Sequence, residues 1–481
     1  MKLRLKHIGV ASMIILHAIF TAFYMDVFMR QHMPGADHRG VGATSRDTRH
    51  IFWCLGLGQL LYAVWNGTHG VAFELQGRTC SALLAYLKLW RLSRAGPTWA
   101  VSFILLWSPF SVSFLPPAVM FTLWLVLYDY FLAHCEAALR AQSRGEFGST
   151  ERGFFVYHAL GGVGVATAYY LVELSGVRQQ GALFAFRCFT TICGFLAALI
   201  LYACGRQQRK LMKHHGCEDE CGTAGSEDFL RFARQTVNRC SMKAAMLFWA
   251  LQGYSSLFAT AFFNIFLAMS SNTVSVPVRI LLLLLVHAAP HAVVAVAASF
   301  FKVMGKKSVI GGFLAARAVL GVLLLAVASQ EAQSSFSVMG VRASSSLFVL
   351  LLFLNRVLTD TVGMMQESIL CDLVDEDTVI FFRVIPATDM ARRLLATAAK
   401  PLESVALVLT FIGLASMGCS HTKHLEEAAG AVALAGGTVL FTSSLMLWGW
   451  RRHYNLEGSH LQFVRMALRK RADKDARVVL V

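Results

Sequence analysis

Twelve mostly apolar stretches, nearly all of them 20 or more residues long, dominate what this 481-residue chain can fold into. A helix rises 1.5 Å per residue, so about 20 apolar residues cross a hydrocarbon core of about 30 Å. The stretches fall at 8–29, 50–75, 97–112, 118–137, 154–174 and 182–204, then at 244–269, 277–301, 308–328, 346–370, 388–417 and 428–450. In lipid every backbone N–H and C=O must find a partner within the protein, and continuous apolar runs of this length predict helices. Only 15% of the residues are charged, against about 25% in a soluble protein, too few to cover three soluble domains. The predicted fold class is an all-α polytopic membrane protein. Two stretches are irregular: Pro109, Pro116 and Pro117 crowd the exit of the third, and Lys400-Pro401 sits in the middle of the eleventh.

The net charge of +16 would suit a nucleic-acid binder, so the positions of the charges decide between the two classes. Cytoplasmic loops retain Lys and Arg. With both termini in the cytoplasm, 30 of the 44 Lys and Arg lie in the inner segments, seven in the outer loops and seven within helices. Omitting one span would reverse every later loop and destroy that asymmetry. The excess charge is therefore an orientation signal, and no nucleic acid is expected as a partner. Met1-Lys-Leu-Arg-Leu-Lys6 looks like the charged start of a secretory signal, but the apolar run continues through Phe23-Tyr24-Met25-Asp26 and is read as span one.

The longest inner loop, 205–243, divides the spans six and six. Two six-helix bundles joined by a charged cytosolic linker are the layout of the major facilitator fold, whose halves are parallel repeats. The domains expected are residues 1–204, the linker 205–243, residues 244–450 and a basic tail, 451–481. A short repeat, Thr21-Ala-Phe-Tyr24 against Thr260-Ala-Phe-Phe263, falls at matching depth in spans one and seven. The basic residues of linker and tail can meet anionic lipid headgroups, at about 1 kcal/mol per charge near the surface. Linker residues His214, His215, Cys217 and Cys221 have the types for zinc, but a solvated loop with reduced cysteines accounts for them, and no metal or cofactor is expected. Asn66-Gly67-Thr68 is a glycosylation sequon placed within span two, out of the enzyme's reach.

An ionisable group at mid-bilayer costs about 2.5–3.5 kcal/mol on insertion scales and needs a partner or a task. Glu74, Glu173 and Arg317 are read as reaching water near span ends. Arg356 and Asp360 are four apart on one helix face and can neutralise each other; Asp129 lies mid-span with Glu136 two turns on. Lys400 is at the middle of span eleven, with Glu403 as its only neighbour of opposite charge in sequence.

Asn355-Arg-Val-Leu-Thr-Asp360, then Cys371-Asp-Leu-Val-Asp-Glu-Asp377 and Arg383, resemble the transmembrane protein 180 family, in the sugar–cation-symporter (melibiose-permease-like) branch of the major facilitator superfamily. Ile15-Leu-His-Ala-Ile-Phe20, Tyr24-Met-Asp26-Val-Phe28, Leu127-Tyr-Asp129, Ala289-Pro-His291 and Lys400-Pro401 agree in order. The resemblance implies twelve helices in two bundles. It matches Asp129 to the fourth-helix carboxylate of the branch's cation site and Lys400 to the eleventh-helix lysine. The second helix departs from the branch pattern: Trp65 and Asn66 are kept, but Gly70 stands where a carboxylate belongs and Val71 where a proline does. One carboxylate and an amide beside a lysine make a poor sodium site.

These residues set the expectations for function. Asp129 and Lys400, with Asn66 and His69, form the candidate cation, proton or substrate site; Trp65, Tyr128, Tyr130 and Asp26 are candidates for lining it. A permanent Asp129–Lys400 salt bridge that only fixes packing is the plainer alternative. Asp372, Asp375, Glu376 and Asp377 with Arg383 resemble a cytoplasmic gate, the alternative being a solvated turn that caps span ten. No Gly-x-x-x-x-Gly-Lys-Ser/Thr loop and no nucleophile–base pair occurs, so neither an ATP-driven pump nor an enzyme is expected. The expected activity is secondary transport of a small organic solute, sugar-like or other, with possible proton coupling. A lipid or lysolipid transporter, and a scaffold or receptor derived from a transporter, are the alternatives.

Overall fold

The computed structural model describes residues 2–32, 64, 91–107, 117–143, 151–176, 182–214, 226–269, 274–333, 341–383, 387–416 and 429–479. Among the described residues, five helices make up the first half: α1 (Lys2–His32), α2 (Leu92–Trp107), α3 (Pro117–Ser143), α4 (Glu151–Gly176) and α5 (Ala182–His214). A short linker helix, α6 (Ser226–Thr236), leads to α7 (Cys240–Met269), α8 (Val276–Met304), α9 (Lys306–Gln333), α10 (Val341–Ile380), α11 (Thr388–Ser416) and α12 (Ala429–His453). A tail helix, α13 (Gly458–Val479), closes the chain. Span two of the sequence reading lies outside the described residues apart from Val64. Six of the described helices are long and apolar enough to cross a membrane.

The packing repeats itself. In the first half α1 packs on α4 and α5, α2 on α3 and α5, and α4 on α5. In the second half α7 packs on α11 and α12, α9 on α10 and α12, and α11 on α12. Each first-half pair thus recurs one half of the chain later, as parallel repeats require, while α7 also packs closely on α10 where α1 barely touches α3. The halves meet along two seams, α4 with α8 and α1 with α7. At the second seam the short sequence repeat comes together: Asn264, next to Phe263, donates its Nδ2 to the carbonyl of Thr21 at 3.5 Å.

The core divides unevenly between the two ends of this bundle. The end that carries α6 and the starts of α7 and α9 is the linker end; its opposite is the far end. One apolar cluster joins both halves, and its second-half members come from far-end turns: Phe263, Phe266 and Leu267 of α7, Leu324 and Val327 of α9, Phe348 and Leu352 of α10. A second cluster, with Phe229, Phe232, Phe248, Leu373, Trp450 and Tyr454, contains residues of the linker helix and second half alone. Burial thus knits the halves at the far end, while at the linker end the second half has a core of its own.

Several helices outlast their apolar stretches at the linker end. The 40-residue α10 is about 60 Å long at 1.5 Å per residue, twice the hydrocarbon thickness. It is therefore longer than one crossing requires. The turn between α8 and α9 is made by Gly305 at φ 81°, a left-handed conformation that costs glycine little. It is fixed from the tail, where Glu457 accepts from the Lys307 N–H at 3.1 Å, and from α12, where Trp450 Nε1 donates to the Lys307 carbonyl at 3.0 Å.

Candidate functional site

Midway along the first-half helices, α3 presents Asp129 and, two turns on, Glu136; across the interface α11 presents Lys400 and Glu403. Lys400 Nζ lies 3.2 Å from Glu403 within α11, and their side chains are 37% and 25% exposed, too open for a sealed core pair. Asp129 and Lys400 lie within electrostatic range of each other and of both Glu136 and Glu403. Glu403 fits against Gly253 of α7, where a Cβ would come within 2.6 Å of its Cγ and Oε1. The glycine leaves the space that the carboxylate occupies.

Tyr128, next to Asp129, points the other way. It is fully buried, its ring centroid 4.1 Å from that of Phe20 and 5.5 Å from that of Trp99, and its hydroxyl lies 3.2 Å from His17 Nδ1. Tyr130 is half-buried and packs edge-on to Phe131 and His134. Neither ring faces the Lys400–Glu403 pair as Asp129 does, because side chains one residue apart on a helix point about 100° apart. Trp65, Asn66 and His69 lie outside the described residues, and so does the side chain of Asp26.

A second polar cluster binds α7, α9 and α10. Arg356 Nε is 3.1 Å from Asp360, and its Nη1 donates to the Ser256 carbonyl at 3.0 Å and to the Thr260 hydroxyl. Arg317, expected to reach water, is instead 1% exposed and donates to Gln252 Oε1 at 3.4 Å, with Asp360 in electrostatic range. Gln252 completes the chain by donating to the Thr359 carbonyl at 2.7 Å. Sequence position alone could not place Arg317, since its hydrogen-bond partner is 65 residues away.

The acidic block lies on the last turns of α10 and not in a turn that follows it. Asp372, Glu376 and Asp377 are 1%, 5% and 1% exposed, and Asp375 is half-buried. Buried carboxylates need charged partners. Asp372 is 2.8 Å from Lys306 Nζ, at the start of α9, and 3.2 Å from Arg465 of α13. Glu376 pairs with Arg239, before α7, and at 3.1 Å with His460 of α13. Asp377 pairs with Arg239 at 3.3 Å and with Arg383. Burial pulls the Arg239 guanidinium below its ordinary pKa, Asp377 opposes that and neighbouring Arg383 adds to it; the group stays charged at physiological pH. Arg392, within sequence reach of the block, pairs with Glu367 at 2.8 Å instead. Arg383 is brought back over the block by Phe382 at φ 50°, and its N–H closes on the Thr378 carbonyl at 3.2 Å. All these partners belong to the linker end of the second half or to the linker and tail. Lys306, Arg239, His460 and Arg465 escaped the sequence reading; the one signal for them was that basic residues crowd the inner segments.

No family model matches the chain. Over 428 residues it is 22% identical to transmembrane protein 180 of Gallus gallus, covering 82% of this chain and 76% of that protein. It is likewise 22% identical over 429 residues to transmembrane protein 180 of Mus musculus, with the same shares. Among solved structures, the fold matches the nucleoside transporter NupG with a TM-score of 0.54 at 13% identity, covering 94% of this chain and all of that one. It also matches a bacterial homologue of the iron transporter ferroportin in an outward-facing state, with a TM-score of 0.52 at 13% identity, covering 94% of this chain and 100% of that one. The chain is an integral, multi-pass membrane protein with the major facilitator fold, similar over most of its length to transmembrane protein 180.

Proposed function

We propose that the protein is a secondary transporter that moves a small organic solute by alternating access, its halves rocking about the α4–α8 and α1–α7 seams. One observation carries the proposal: partly exposed charges of the two halves, Asp129 and Glu136 against Lys400 and Glu403, face each other below a core that joins the halves at the far end. Ionisable groups at that depth are costly and call for a ligand or an exchange of partners. Lys400 can leave Glu403 for the first-half carboxylates as the halves turn, so that the pairing differs between the two states. Three carboxylates against one lysine favour a proton or a cationic group, and Gly70 in place of the second-helix carboxylate disfavours sodium.

In this scheme the linker end is cytoplasmic and open, and the far end is closed. The buried acids of α10 make the inner end of the second half one rigid block, tied to α9, α13 and the turn before α7. The basic linker and tail rest on anionic headgroups. The chain has no catalytic role. The test is uptake into proteoliposomes of sugars, nucleosides, amines and lysolipids, with and without a pH gradient. Flux of a water-soluble solute that Asp129→Asn abolishes supports the proposal. Lysolipid transfer alone would move it to the lipid class, and no flux of any kind would favour a scaffold.

A further inference from the structure

The α4–α8 seam holds three histidines that the charged site does not use. His158 stands on α4; His287 and His291 stand four apart on one face of α8, on either side of Pro290. The rings of His158 and His291 are 4.9 Å apart between centroids and inclined at 47°. The helices touch there: a Cβ on Gly162 would lie 3.1 Å from the Cβ of His287. Pro290 supplies no N–H to the Val286 carbonyl, so α8 can bend beside these rings.

Groups on two other helices act on the cluster directly. Arg356 of α10 acts on His287, and His17 of α1 acts on His158; His17 in turn senses Glu136 of α3 and Lys400 of α11. Imidazole is the one side chain whose ordinary titration lies near neutral pH. Among the described residues no group of three His, Cys, Asp or Glu side chains is arranged to hold a metal ion.

We propose that His158, His287 and His291 form a proton site that governs the seam between the halves. Protons taken up on both sides of the seam set imidazolium against imidazolium, with Arg356 beside them, and so weigh against the arrangement in which α4 and α8 are closed. Deprotonation lets the rings pack as they do here. The use made of the motion rests on the transporter proposal above, but the response of the conformation to pH requires no solute.

The experiment uses the full chain in liposomes, spin-labelled at Tyr170→Cys and Val278→Cys, two exposed positions beside the Tyr169–Arg279 contact of α4 and α8. Between about pH 8 and about pH 5.5 the long-distance population should rise about fivefold or more, the lower end of ordinary coupling between sites. The His158→Gln/His291→Gln variant should lose that response. His291→Arg, permanently charged, should hold the long-distance population high at both pH values. An unresponsive wild type would overturn the proposal, as would a response kept by the double variant and lost in Asp129→Asn. If the histidines govern the distance but no solute moves, the transporter proposal falls and this one stands; if solute moves and the double variant still responds, the reverse holds.

Discussion

Asp375 and Glu376 are neighbours in sequence with opposite prospects on mutation. Glu376 is 5% exposed and faces both Arg239 and His460, whereas Asp375 is half-buried on another face of the helix. Glu376→Gln strips charge from a buried pair and leaves Arg239 to Asp377 alone; the expected loss is about 3 kcal/mol, the low end for breaking a buried pair. Asp375→Asn should cost about 1 kcal/mol or less. Thermal melting of the two variants in detergent checks the difference, and equal melting shifts would refute it. Asp360 gives a similar forecast in the membrane, since it balances Arg356 directly and Arg317 through the local field. Asp360→Asn leaves the buried Arg317 and the half-buried Arg356 without their carboxylate, and yield and melting temperature should drop further than for Asp129→Asn, whose charged neighbours Lys400 and Glu403 are more exposed. The i,i+4 spacing made the Arg356–Asp360 pair legible in the sequence. Arg317 was not, because an arginine's direction depends on what the neighbouring helix offers, here Gln252.

Helix lengths and ends show where sequence patterns lose their grip. Apolar runs coincide with the long described helices because burial in lipid depends on length and hydropathy, both local quantities. They could not reveal that α10 continues to Ile380, since four of its last ten residues are acidic and are held in the helix by partners from α9, α13 and the turn before α7. The helix then stops on Phe382, whose left-handed backbone costs a non-glycine residue about 1–2 kcal/mol. Its side chain is 81% exposed, so little packing is lost on removing it. Phe382→Gly should therefore leave stability unchanged or raise it by about 1 kcal/mol, while Phe382→Val should lower it. Chemical unfolding of the two variants decides the matter; a clear loss in Phe382→Gly would mean that the ring, and not the backbone, sets the turn.

The pairwise packing of the first half recurs in the second, and the two halves share apolar burial mainly at the far end. That asymmetry, with charges facing each other beneath it, is what alternating access needs: one end sealed, one end free, and an interaction that can be exchanged when they swap. The linker and the placement of Lys and Arg pointed to two halves, and the described helices repeat their pairwise packing on either side of that linker. The seams were not legible in the sequence, because which helices touch between halves leaves no local periodicity; the short Thr-Ala-Phe repeat was the only trace, and it lies at one of them. The most direct measurement is a pair of distance distributions in the full chain in liposomes. One is taken at the far end between labels at Tyr170→Cys and Val278→Cys, the other at the linker end between labels at Lys210→Cys and Ile380→Cys, all exposed positions. Across pH and added solutes, the far-end distance should lengthen as the linker-end distance shortens, with two populations at each end. A single, unchanging distance at both ends would contradict the rocking of the halves and leave a rigid membrane scaffold.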